Sequence, residues 1–477
     1  MSALGAAQSD SENVAPDGTP SRSPGLLQRL REYGRRQLPE SSKWRRLLFA
    51  VLLSALILRL LAAFGLQFLL DHRWHRDFLI EGDAEGYWLL AQTIVNGETY
   101  AVYTPPRYAL RMPGFPALLA IPISIAGPSL FAARLFLAVV GTLACWLTYL
   151  LGKRLFNEKI GTLAAAIAAF SPTQIVFSVE ILCETAFGLF VVWSLLAAHR
   201  VYEQLGSPRF SGPRLLLASL WTGIVIAGGV YQRPSWILAA PIAAVLLLLL
   251  VRLGRRLWAG IAGAMMVVGM VAALLPWGIR NQAITGHFTL TTFWMGPSLY
   301  DGINPEATGD SDMTFYDRDA LMKTMDEYQV DQHYRQAAKD FAIHSPGRVA
   351  ELAFAKAVRY WKPWPNAEQF RSPIALAAVA IATIPVFLLA VIGAIGILRN
   401  PSQIPLSLAS PGSPVALDYR RPIWSVGILT GPVFYFALLH MIFVGSLRYR
   451  LPAEFPLYVL AATGICLLAG QVRGHRK

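Results

Sequence analysis

Two kinds of charged residue stand out in this sequence, because each sits at the edge of an apolar run, where charge is costly. Asp83 opens the stretch DAEGYWLLAQTIVNG, which predicts a short helix ending at Gly97 with Tyr87 one turn later on the same face. A carboxylate there either caps the helix or accepts a proton, and on spacing alone the cap is the simpler reading. Glu180 and Glu184 follow in SVEILCETAF, one turn apart at the start of an apolar run. Acids at a helix start satisfy its dipole, yet two at membrane depth exceed what a cap needs. Arg111 precedes MPGFP, Arg233 stands in YQRPSW, Arg280 in PWGIRN, and Arg448 and Arg450 in SLRYRLP. Taken singly, each reads as a side chain snorkelling to lipid headgroups. Taken together, beside acids, they suggest an anionic ligand such as a phosphate held at the membrane surface.

Other candidates carry less. His72 and His75, with Asp71 and Asp77, have metal-compatible spacing but no third strong ligand nearby, so they read as solvated interface residues. The DSD at 310–312 resembles a nucleotide-sugar metal motif, but no Rossmann-like domain presents it, and it reads as a polar loop. Cys145, Cys183 and Cys466 lie in apolar runs as small core residues. No cofactor is required by these residues, and a divalent metal is compatible with them without being indicated.

The elements that must position these residues are membrane helices. The 477-residue chain is 55% hydrophobic and 15% charged, against roughly 25% charged in a soluble domain. Apolar runs fall near 47–70, 129–151, 160–178, 181–199, 215–232, 236–251, 257–277, 373–398, 423–445 and 453–470, each close to the ~20 residues a bilayer needs. The run 114–127, broken by Pro116 and Pro122 and ending at Gly127, is too short to span. The net charge of +13 is spread over short loops between these runs, which indicates membrane topology and not nucleic acid.

Charge parity sets the topology. Arg29, Arg31, Arg35, Arg36, Lys43, Arg45 and Arg46 precede the first run, so the N-terminus is expected in the cytoplasm. If 114–127 lies at the interface or re-enters, Lys153, Arg154 and Lys159 fall inside, followed by Arg200, Arg209 and Arg214, then Arg252, Arg255 and Arg256, then Arg399, Arg420 and Arg421, then Arg473, Arg476 and Lys477. The expectation is an all-α polytopic protein of about ten transmembrane helices, N-in and C-in, in the plasma (inner) membrane. Residues 1–41 form a cytoplasmic arm. Within it 1–25 are expected to be disordered, and 26–38 are either a basic amphipathic helix on anionic lipid or a disordered basic arm. Residues 42–277 form a transmembrane region with a first external loop at 71–128. Residues 278–372 form a small extracytoplasmic lobe, helical over 314–344 with a further segment from Pro346, and 373–477 complete the bundle.

The ordered motifs GDAEGYWLLAQTIVNG, RMPGFPALL, SPTQIVFSVEILCETAF, QRPSW, PWGIRN and RYRLPAEFPLYVLA resemble the membrane-embedded GT-C glycosyltransferases of the family 39 type. That group includes dolichyl-phosphate-mannose protein mannosyltransferases and the aminoarabinose transferase that modifies lipid A. The resemblance implies a GT-C-like bundle and an inverting transfer of sugar from a polyprenyl-phosphate donor to a lipid, glycan or protein acceptor hydroxyl outside the cytoplasm. It implies that Asp83 is the general base and that Glu184 orients the acceptor or the base. Arg111, Arg280, Arg448 and Arg450 would bind the donor phosphate, and Tyr87, Glu180 and Arg233 the substrate. The family's basic residue stands one position nearer the proline than Arg111. The segment 114–127 would help form the cavity that admits the prenyl chain. The other readings are a transporter or flippase of lipid-linked intermediates, or a non-catalytic member of the fold. Transporters place their sites near the midplane between inverted repeats, and no inverted repeat is visible here.

A C-terminal reporter that is active only in the cytoplasm should be active. An inactive reporter would show that the number of crossings is odd.

Overall fold

The computed structural model describes residues 37–365, 372–399 and 420–474. The expectations for the arm up to residue 36, and for Arg476 and Lys477, lie outside the described residues. Among the described residues the regular elements are helices, apart from one isolated antiparallel bridge between Val102 and Arg107.

Eight helices are long and apolar enough to cross a bilayer. They are α1 (Ser42–Leu69), α4 (Leu130–Leu155), α7 (Glu184–Gly206), α8 (Gly212–Gln232), α10 (Arg256–Thr285), α15 (Pro373–Arg399), α16 (Arg420–Ile442) and α17 (Leu451–Gly474). The two other runs expected to cross do not form single helices of spanning length. One is α5 (Glu158–Phe170) followed by α6 (Pro172–Phe177). Pro172 cannot continue the helix before it, and the Ser171 hydroxyl takes up the Gln174 N–H of the new turn at 3.5 Å. The other is a 3-10 turn at Pro234–Trp236 leading into α9 (Ala239–Leu250).

Between α1 and α4 lie α2 (Asp83–Asn96) and α3 (Gly114–Ala126). Gly97 ends α2 in the left-handed conformation, φ +69, the usual role of a glycine after a helix. The 13 residues of α3 are too few to span, and it packs on α2 and α4. The lobe contains α11 (Met295–Gly302), α12 (Thr314–Asp319), α13 (Glu327–His344) and α14 (Pro346–Trp361). Two expectations need correction here. The stretch 314–344 is not one helix: Ala320 takes a positive φ, and Asp326 and Gln329 form a capping box that starts α13 afresh. The lobe also begins later than residue 278, because α10 continues to Thr285 and carries Arg280 on its last turns.

The lobe and the first loop are tied together by buried charge. The Glu327 carboxylate accepts the backbone N–H groups of Tyr108 at 2.8 Å and Ala109 at 3.0 Å. Lys356 is fully buried and donates to the carbonyls of Gly302 at 3.0 Å and Ile442 at 2.7 Å. These bonds fix the first loop and the end of α16 against one end of the bundle.

Helix contacts in the bundle rely on small residues, because lipid provides no hydrophobic drive between helices. Gly393 on α15 and Gly464 on α17 face each other's helices. A Cβ at Gly464 would lie 2.2 Å from the Leu389 carbonyl oxygen, and one at Gly393 2.1 Å from that of Leu460. Gly427 on α16 has nothing within 4 Å of such a Cβ. Gly464→Ala should therefore lower the melting temperature of the detergent-solubilised protein. Gly427→Ala should leave it unchanged or raise it slightly, since alanine is the better helix former by about 0.5–1 kcal/mol. Equal melting temperatures for the two variants would contradict the close packing.

Candidate active site

The first loop, the starts of α2 and α7, the end of α8 and the turn before α17 meet at one end of the bundle. Asp83 is the first residue of α2, but it is not a cap. Gly82 precedes it at φ +71, and no side chain caps this helix. The carboxylate instead takes two guanidinium partners. Oδ1 accepts from Arg111 Nη2, and Oδ2 lies 2.9 Å from Arg448 Nη1. Arg448 sits on the 3-10 turn Leu447–Tyr449, and its Nε donates to Glu184 Oε1. Arg233, directly after α8, donates to the same oxygen at 3.1 Å. The result is an alternating chain Arg111–Asp83–Arg448–Glu184–Arg233, with three cations and two carboxylates.

Glu184 is almost fully buried, and its Oε2 has no hydrogen-bond partner. Asp83 is 32% exposed and opens on a cavity of about 1060 Å³. Asp83, Tyr87, Arg107, Arg111, Arg233, Arg448 and Tyr449 line one part of that cavity, and Trp294, Asp301, Ser311, Tyr316 and Asp317 bring the lobe to another. Ile237, Leu238, Leu439 and Phe443 form an apolar wall between α9 and α16. The arginines are held by aromatic faces as well as acids. The Arg111 guanidinium lies 5.0 Å from the Tyr87 ring centre and Arg233 4.5 Å from that of Tyr449. Tyr449 stacks on His440 at 4.2 Å.

The electrostatics follow from this arrangement. Burial alone would raise the Asp83 pKa, but Arg111 and Arg448 outweigh it and hold the carboxyl well below the usual range. Burial disfavours charge on Arg448, yet Glu184 and Asp83 push its pKa up. Burial raises the Tyr87 pKa, so it is a neutral phenol, placed to donate to Cys183 Sγ at 3.5 Å.

Of the residues singled out in the sequence, Asp83, Tyr87, Arg111, Arg233 and Arg448 line the cavity, and Glu184 lies behind them. Three do not join. Arg280 spends its guanidinium on the backbone carbonyls of Tyr108 and Tyr100, both at 2.6 Å. Arg450 is fully buried. It pairs with Glu454 at 2.8 Å and donates to the carbonyls of Tyr360 and Lys362 at the end of α14. Both arginines satisfy backbone, and neither faces the cavity. Glu180 does not share a helical face with Glu184, because α7 begins only at Glu184. It is buried with Oε1 unpartnered, and burial, opposed chiefly by Arg134, raises its pKa to about 7.

Among the described residues, no group of three or more His, Cys, Asp or Glu is placed to hold a metal ion. The DSD loop is tied to Asp301, whose carboxylate accepts from Ser311 Oγ at 2.7 Å and Asp312 N at 2.8 Å. Sequence reasoning missed Arg107, Trp294, Asp301, His440 and Tyr449. Tyr449 lies between the two arginines of RYR and could have been noted. The others have no spacing that marks them.

Residues 109–279 match a family model described as dolichyl-phosphate-mannose-protein mannosyltransferase, in line with the resemblance drawn from the motifs. The matched span holds Arg111, Glu184 and Arg233 and leaves Asp83 and Arg448 outside it. An archaeal oligosaccharyltransferase from Archaeoglobus fulgidus, in complex with an inhibitory peptide and a dolichol-phosphate, is similar at TM-score 0.49 and 14% identity, over 89% of this chain and 51% of that one. ArnT from Cupriavidus metallidurans bound to undecaprenyl phosphate is similar at TM-score 0.39 and 13% identity, over 89% of this chain and 78% of that one. The chain thus spans about half the length of the oligosaccharyltransferase it matches. No curated protein matches it.

Glu180 gives a pH test of this geometry. Its pKa in the folded protein lies above the ordinary 4.5. The stability it contributes is therefore complete below that value and is lost as pH rises through about 7. Glu180→Gln should remove this dependence, so the melting temperature of the variant relative to wild type should rise between pH 5 and pH 8. A constant difference would show that Glu180 is not buried in neutral form.

Proposed function

We propose that this chain is an inverting glycosyltransferase, moving a sugar from a polyprenyl-phosphate donor to an acceptor hydroxyl at the extracytoplasmic face of the plasma (inner) membrane. The observation that carries this reading is Asp83 held between Arg111 and Arg448 on the wall of a large cavity. The family-model match over 109–279 supports it. Sidedness rests on the basic loops at the other end of the bundle, by the positive-inside rule.

The acceptor oxygen attacks the anomeric carbon as the bond from that carbon to the phosphate oxygen breaks, and the electron pair leaves with the lipid phosphate. Charge on the phosphate rises along this path, and Arg111, Arg448 and Arg233 are preorganised to meet it. The acceptor proton passes to Asp83. Glu184 has no surface in the cavity and acts as a positioning residue through Arg448 and Arg233. Guanidinium groups supply the charge that a monophosphate leaving group needs, so we extend the proposal to a metal-independent reaction. The prenyl chain enters along Ile237, Leu238, Leu439 and Phe443. That replaces the segment 114–127 as the portal, since α3 contributes nothing to the cavity lining. A transporter is disfavoured, because the charged residues gather at helix ends and not at mid-bundle.

The test is transfer by purified protein from polyprenyl-phosphate sugars to candidate lipid, glycan and peptide acceptors. Asp83→Asn should lower kcat by about 10²–10⁴, Arg448→Ala should raise KM for the donor as well, and a chelator should leave the rate unchanged. Equal transfer by wild type and Asp83→Asn would remove Asp83 as the base. Donor movement across liposomes without transfer would favour the transporter.

A further inference from the structure

At the end of the bundle away from the active-site cavity, a second concavity of about 360 Å³ opens between α4, α7 and α8. It shares no lining residue with the active-site cavity and does not depend on the proposed reaction. Its walls are apolar: Leu143, Trp146 and Leu147 of α4, Trp193 of α7 and Trp221 of α8 all line it. Trp193 and Trp221 meet edge to face at 6.1 Å, and both Leu143 and Trp221 are nearly half exposed. The groove ends at two cations, Arg154 of α4 and Arg200 of α7.

The register of the two helices makes this a designed-looking slot. Leu143 lies eleven positions before Arg154, and Leu189, also on the lining, eleven before Arg200. At 1.5 Å per residue each stretch covers about 16 Å, roughly the depth of half a bilayer core. The two arginines therefore stand at one level and the apolar walls run from that level toward the midplane. Arg154 pairs with Glu203 at 3.5 Å and remains about a third exposed at the mouth of the groove. Among the described residues Arg200 makes no side-chain hydrogen bond or ion pair, and it is exposed. Lys153 adds a third basic side chain to this end, and it donates to the Leu38 carbonyl at 2.6 Å.

A cation pair above a tryptophan-lined slot of acyl-chain length fits one class of occupant. We propose that this groove binds an anionic phospholipid, its phosphate on Arg200 and Arg154 and one acyl chain against Trp146, Trp193 and Trp221. A zwitterionic lipid would match the walls but not the charge at the mouth.

The experiment is native mass spectrometry of the full chain in detergent with added phosphatidylglycerol or phosphatidylcholine of the same acyl chains. Wild type should retain phosphatidylglycerol at least about tenfold more strongly, which corresponds to about 1.4 kcal/mol, and Arg154→Gln/Arg200→Gln should reduce the ratio to near one. Both arginines lie far from the active-site cavity, and Arg200→Gln alone, at an exposed position, should lower the ratio while keeping the melting temperature. Quenching by phosphatidylglycerol brominated in mid-chain locates the lipid: it should fall in Trp193→Phe and stay unchanged in Trp44→Phe. Equal retention of the two lipids by wild type, or a preference that survives the double variant, would overturn the proposal. Quenching unaffected by Trp193→Phe would also overturn it.

Discussion

Arg448 is the residue on which the rest of the site depends. Its Nη1 and Nε engage two carboxylates from different helices, Asp83 at the start of α2 and Glu184 at the start of α7. A guanidinium offers several donors on two edges of one rigid plane and stays charged when buried. Without it, each acid would keep one arginine, Asp83 with Arg111 and Glu184 with Arg233, and the two pairs would no longer be joined. With it, the acids become the fixed points of a chain that also orients Arg111 and Arg233. The five residues together carry one net positive charge on the wall of the cavity.

The remaining charged residues explain how Asp83 comes to stand opposite Arg448. The loop that carries Arg111 has little regular structure of its own, and its backbone groups must find partners. Glu327 takes two of its N–H groups, and Arg280 takes two of its carbonyls. Arg450 does similar work for the end of α14, whose last carbonyls have no helical acceptor role left to fill. Buried charge in this protein is thus divided between two tasks. Some residues close backbone hydrogen bonds where water is scarce, and others face the cavity.

That division is what the sequence does not show. Apolar periodicity and charge parity made the helices legible, because bilayer thickness and loop charge act on residues close together in the chain. Asp83, Tyr87, Arg111, Glu184, Arg233 and Arg448 were legible for a similar reason, since each breaks a local pattern. Arg280 and Arg450 break the pattern in the same way and yet turn to backbone. Which role an arginine takes depends on the carbonyls or carboxylates that a distant segment brings to it. Arg107, Trp294 and Asp301 were missed because their place in the cavity is set by how the lobe folds back onto the first loop.

The pairing of Asp83 also bears on how a base could work here. A general base is most effective when its pKa lies near the working pH, and two arginines hold this carboxyl far lower. In the unliganded state Asp83 is ionised but weakly basic. On the proposed reading, the donor phosphodiester carries one negative charge and gains a second as its bond to the sugar breaks, so its bonds to guanidinium groups strengthen along the path. It would draw Arg111 and Arg448 toward itself and loosen their hold on Asp83. The same event that binds the leaving group would then raise the basicity of the group that takes the acceptor proton. Such an exchange needs arginines that can serve two anions, and Arg448 presents Nη1 to Asp83 while its Nε is held by Glu184. The buried acid behind the site then has a physical purpose: it keeps the shared arginine in reach of both partners.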